Sequence, residues 1–144
     1  MATAPDPACA CTTLRKANRA VTRLYDEALA PTGMTITQFA ILRNVARCGT
    51  IALSRLAEAL VMERTSLYRA LAPLEQFDWL RISDAGARAK SVTLTESGHE
   101  AMARARVPWE AMQTRLIGTF GAEQWAALES SLAHLSTLAQ GTDA

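Results

Sequence analysis

Apolar residues recur at helical spacing along most of the chain. Leu14, Ala17, Val21, Leu24 and Ala28 form one stripe, with Arg15, Lys16, Arg19 and Arg23 between them. "APTG" (30–33) ends that helix, and Thr35 followed by Gln38 is the sequence of a capping box opening a second one. Phe39, Leu42, Val45 and Ala46 carry its stripe to a stop at Gly49. "LSRLAEAL" (53–60) predicts a short third helix with Leu53, Leu56 and Leu60 inward. After a break at Val61–Met62, Leu67, Leu71 and Leu74 set the buried face of a fourth helix. The period then changes. Ile82, a turn-rich "SDAGA" and alternating Val92 and Leu94 predict a two-stranded hairpin with a basic tip at Arg88 and Lys90. Thr95 caps a long fifth helix marked by Ala101, Ala105, Trp109, Met112, Leu116 and Phe120, with a kink expected at Pro108. Gly121 separates a sixth helix whose stripe is Trp125, Leu128, Leu132, Leu135 and Leu138.

The fourth helix is unusual on its outer face. At 100° per residue, Thr65, Arg69, Ala72 and Gln76 lie opposite the leucines, flanked by Ser66 and Tyr68. These are side chains that reach phosphates and base edges, and small Ala72 permits close approach. Two short helices followed by a hairpin make a winged helix-turn-helix, in which the second short helix enters the DNA major groove. A solvated amphipathic helix in an all-α protein would show a similar stripe. The expected fold class is therefore mainly α with a small β-hairpin wing, a winged helix-turn-helix.

Composition adds little to this. The chain of 144 residues is 49% hydrophobic and 20% charged with a net charge of +1, as in an ordinary globular domain. Of its 15 cationic residues only Lys16 and Lys90 are lysines. Arginine suits bidentate contacts to phosphate and guanine, and a GC-rich genome gives the same bias. No apolar run reaches the length of a membrane span, and the N-terminus has no secretory pattern. Three cysteines make no disulfide framework, so the expected location is the cytoplasm. No nucleotide-binding, metalloprotease or serine-lysine motif is present, two histidines leave little for acid–base chemistry, and no cofactor is expected.

The order and spacing of "TITQFAIL" (35–42), "LSRLAEAL" (53–60), "MERTSLYRALAPLEQFDWL" (62–80) and "RAKSVTLTESG" (88–98) resemble the MarR-type winged-helix regulators. The resemblance runs from about Leu14 to Leu138. It implies a homodimeric regulator, expected to be a repressor, that binds double-stranded operator DNA. It divides the chain into a loose segment 1–10 and one domain over 11–140. Within that domain, dimerisation helices lie at about 11–31 and 96–140, and the winged-helix region at about 35–95. Arg64, Thr65, Ser66, Tyr68 and Arg69 match recognition-helix positions, and Arg88 matches the wing arginine. The sequence departs from the pattern at Gly86, where an aspartate often buttresses that arginine, and at Val61, where a turn glycine is common.

Release of DNA in this family follows a small ligand or thiol oxidation. In the branch that senses organic hydroperoxides, the reactive cysteine lies 27 residues before the glutamine of the "T-x-x-Q" helix start, as Cys11 does before Gln38. Tyr25 stands at the offset of a tyrosine that hydrogen-bonds the sulfur in that branch. Two other tyrosines of the branch are replaced by Arg15 and Ile36. Independently, Cys11 near a helix start with Arg15 one turn on favours thiolate. Cys9 and Cys11 also suggest a soft-metal or metalloid site. Trp109 and Met112 suggest a pocket for a small aromatic ligand. A helical interaction module without DNA binding is the competing class.

Overall fold

The structure, a computed structural model, describes residues 7–84 and 89–141. Its elements are α1 (Ala10–Leu29), a 3-10 turn (Ala30–Thr32), α2 (Ile36–Cys48), β1 (Thr50–Ala52), α3 (Leu53–Leu60), α4 (Arg64–Gln76), β2 (Leu80–Ser83), β3 (Ser91–Leu94), α5 (Glu96–Phe120) and α6 (Ala122–Gly141). Residues up to Trp109 form one compact unit and those from Glu110 a second.

The helix boundaries follow local chemistry. The turn after α1 closes on Gly33, whose φ of 73° suits glycine. At the start of α2 the expected capping box is complete: Gln38 donates its amide to the Thr35 hydroxyl, and the Thr35 amide donates to Gln38 Oε1. A third bond had no local signal. Asp26 of α1 accepts from the Ile36 amide at 2.8 Å, satisfying another orphan donor of that turn and tying α1 to α2. At the other end of the chain, Thr95 opens α5. Its hydroxyl accepts from the Gly98 amide and donates to the Asp78 carbonyl.

The core of the first unit is continuous from α2 to α5. Leu42, Val45, Leu56, Leu71, Leu74, Val92 and Ala105 are fully buried, joined by Leu29, Phe39 and Leu67. Phe39 packs on Trp109 with ring centroids 5.3 Å apart, and the Arg43 guanidinium covers that indole at 4.7 Å. In the second unit α6 has no buried residue, although its apolar stripe is the expected one.

The structure adds to the sequence reading at two places. The expected hairpin is present as β2 and β3, and β1 joins it to make a three-stranded antiparallel sheet of order β1-β3-β2. Thr50, Ile51 and Ala52 pair with Thr93, Val92 and Ser91. Three residues after a glycine are too few for alternation to register, and the pairing that makes them a strand comes from far along the chain. The tip, including Arg88 and Gly86, lies outside the described residues. Val61 is the second place. It ends α3 in the left-handed region, at φ 51° and ψ 46°. That conformation costs a residue with a Cβ about 1–2 kcal/mol. Val61→Gly is therefore expected to raise stability, by roughly 1 kcal/mol after allowing for the freer unfolded chain. Chemical denaturation checks it, and a loss of stability would show that the Val61 side chain contributes packing that its exposure hides.

Candidate nucleic-acid interface

α4 is held from below and open above. Leu67, Leu71 and Leu74 are buried, while Arg64, Thr65, Ser66, Tyr68, Arg69, Ala72 and Gln76 are exposed. This is the division expected from the sequence, and it leaves one continuous polar face. Pro73 lies within the helix, which runs on to Gln76. The ring removes the amide that would have bonded the Arg69 carbonyl, and Arg69 is exposed, so water can satisfy that carbonyl.

The base of the wing meets the start of this helix. Ser54, Arg64, Leu67, Tyr68 and Lys90 line one groove of about 170 Å³ with Leu53 and Ala89. Lys90 directs its ammonium over the Tyr68 ring, 6.0 Å from the centroid. Its carbonyl accepts from the Leu53 amide at the start of α3, at 3.0 Å. Arg64, Tyr68 and Lys90, expected from the sequence to contact DNA, line this groove together. Ser54 was not among those expected, because a single hydroxyl in a short amphipathic helix carries no signal of its own. Arg69 lies apart from this groove, further along α4 beside Ala72, Pro73 and Gln76. Arg64 and Arg69 thus sit at different places on the exposed face.

Cys11 lies in the first turn of a helix, as expected from the sequence. α1 begins at Ala10, so Cys9 and not Cys11 is its N-cap. No side-chain cap bond closes there, yet the amide and hydroxyl of Thr12, and then the Cys11 amide, hold the Cys9 thiol below its ordinary pKa. Cys9, Cys11 and Cys48 are all free and exposed, as is Arg15. Tyr25 is buried, which raises its pKa by desolvation. It lies on the same helix 14 residues beyond Cys11, about 21 Å at the helical rise, so it does not reach that sulfur within one chain. For a soft metal, Cys9 and Cys11 bring two sulfurs. Among the described residues, no group of three or more histidine, cysteine or acidic side chains could hold a metal ion. The indole of Trp109, expected near a ligand pocket, is contacted by Phe39 and Arg43. No helix among the described residues is long and apolar enough to cross a membrane.

Comparison with known proteins agrees with this geometry. No family model and no curated protein matches the chain. Solved structures match over nearly its whole length. The transcriptional regulator MosR of M. tuberculosis, in complex with DNA, is 32% identical, with a TM-score of 0.87 over 95% of this chain and 100% of that one. A MarR mutant from E. coli complexed with operator DNA has the same fold at 23% identity, with a TM-score of 0.76 over 86% of this chain and 91% of that one. The transcriptional repressor CouR, bound to a 23-mer DNA duplex, matches at 23% identity and a TM-score of 0.79, covering 89% of this chain and 92% of that one.

Proposed function

The chain belongs to the MarR family of winged-helix transcriptional regulators, and from that premise we propose that it is a homodimeric repressor that binds double-stranded operator DNA through α4 and the wing. The observation that carries this reading is the exposed face of α4, with its arginines, hydroxyls and tyrosine mounted on a fully buried leucine stripe. The DNA complex of MosR, similar over the whole of its length, supports it. In this reading residues 11–140 act as one regulatory domain. Arg64, Thr65, Ser66, Tyr68, Arg69 and Lys90 contact DNA, joined by Arg88 of the wing. The first, fifth and sixth helices form the dimer layer, and two recognition helices meet two half-sites at fixed spacing.

Arg69 reads bases, because it stands centrally on the exposed face away from the groove that Arg64 and Lys90 share. Arg69→Ala is expected to reduce discrimination between operator and random DNA by about 1–3 kcal/mol. Titration of both duplexes with wild type and variant measures this. Equal losses on the two would assign Arg69 to the backbone instead.

The proposed switch is thiol modification at the start of α1. Cys11 stands 27 residues before Gln38 with Arg15 one turn on, and Cys9, whose thiol pKa is lowered by hydrogen bonds from Thr12, stands two residues before it. Polar bulk added there would disturb the packing of α1 in the dimer layer. A few kcal/mol of difference between two dimer geometries is enough to release the operator. Cys11→Ser should bind operator as wild type does and no longer be released by an organic hydroperoxide, whereas Cys48→Ser should be released normally. Release of Cys11→Ser as readily as wild type would remove that thiol from the switch. If a small aromatic carboxylate releases both alike, regulation is by ligand.

A further inference from the structure

Three elements bring two cations to one small concavity. Arg64 is the first residue of α4, Ser54 belongs to the first turn of α3, and Lys90 immediately precedes β3. All line the same groove of about 170 Å³, together with Tyr68, and no carboxylate is among the described residues that line it. The nearby Arg55 is already engaged by Glu58 at 3.2 Å, on the exposed side of α3. The backbone of Lys90 is fixed by the Leu53 amide, and its ammonium lies over the Tyr68 ring. Two like charges converging on a space that holds a single small group repel each other unless an anion stands between them. Hydroxyls of Ser54 and Tyr68 add neutral donors at the same place.

The geometry points to a binding site for one DNA backbone phosphodiester, shared by Arg64 and Lys90, with Ser54 and Tyr68 as supporting donors. The inference rests on the DNA-binding reading above and deepens it. A shared phosphate would pin the recognition helix and the base of the wing to the same point of the duplex. It thereby sets the angle at which α4 enters the groove while carrying no sequence information itself.

Sharing has a countable signature. Each phosphate neutralised contributes about 0.9 to the slope of log K against log salt. The full-length chain, Arg64→Gln, Lys90→Gln and the double variant would be titrated with operator by fluorescence anisotropy at salt concentrations from about 50 to 200 mM, the range over which that slope is steep. The double variant should lose about 0.9 of slope, because both cations serve one phosphate. Lys90→Arg should keep the wild-type slope. Ser54→Ala should weaken operator and random duplex by the same factor. These positions are on the surface, and circular dichroism confirms that the variants fold. A loss near twice that value would mean two independent phosphates, and no loss would mean none. Either overturns the proposal. So does a change in operator-over-random discrimination on Lys90→Gln alone. Salt-dependent binding that is missing in the wild type would instead overturn the DNA-binding reading itself.

Discussion

A chain that stops at Gly121 is expected to lose operator binding, although every residue of the recognition helix remains. The reason lies in where the apolar surface is. α6 has no buried residue, and Leu128, Leu135 and Leu138 are between 39% and 55% exposed at helical spacing. Leu14, Val21 and Leu24 of α1 are similarly open. Covering what remains exposed of each such side chain is worth about 1 kcal/mol, so two stripes of this kind together favour association. In the proposed dimer they are what a second copy covers. A single head then loses the gain from simultaneous engagement of two half-sites, roughly 100- to 10,000-fold in affinity. Sedimentation should find the full-length chain as a dimer and the shortened one as a monomer, with the shortened chain still folded by circular dichroism. Operator binding by the shortened chain at wild-type affinity would contradict the proposal, as would a monomeric full-length protein.

Gly98→Ala is expected to be strongly destabilising to the first unit. Gly98 is buried in the first turn of α5. A Cβ there would stand 1.8 Å from the Trp79 carbonyl oxygen and 2.8 Å from its carbon. The obstacle is backbone, and that same carbonyl accepts from the Thr95 amide at 3.1 Å, so it has little freedom to withdraw. Trp79 lies between α4 and β2, so the forced shift opens the joint between recognition helix and wing. A loss of about 3 kcal/mol is expected, at the upper end for overpacking and a large fraction of a domain's total stability. Gly118→Ala is the control. It lies in the same helix with nothing within 4 Å of the added Cβ, and should stabilise slightly through helix propensity. Equal effects of the two substitutions on the denaturation midpoint would show that the backbone at Trp79 yields.

The helices were legible because their stripes are long and their ends carry chemistry that acts locally. Thr35 with Gln38, and the leucines of α4 opposite Arg69, need only a few residues of context. What escaped depends on residues distant in sequence. β1 exists because Thr93, Val92 and Ser91 return beside it, and Asp26 reaches the Ile36 amide across the turn that joins α1 to α2. Ser54 gains meaning only when Arg64 and Lys90 arrive at the same groove. The Pro- and Ala-rich sequence before Cys11 gives no cap signal, and the fold alone identifies Cys9 as the residue at the helix boundary. The spacing from Cys11 to Tyr25 is legible in the sequence, but a continuous helix separates residues that far apart in one chain.

The central claim is sequence-specific binding to an operator, and equilibrium titration of the full-length, reduced protein tests it most directly. One duplex carries the DNA upstream of its own gene, and the other has the same length and scrambled sequence, at one fixed salt concentration. The account predicts binding to the first with two chains per duplex and an affinity at least about 1,000-fold above the second. Equal affinity for both duplexes, or no binding to either, would contradict it.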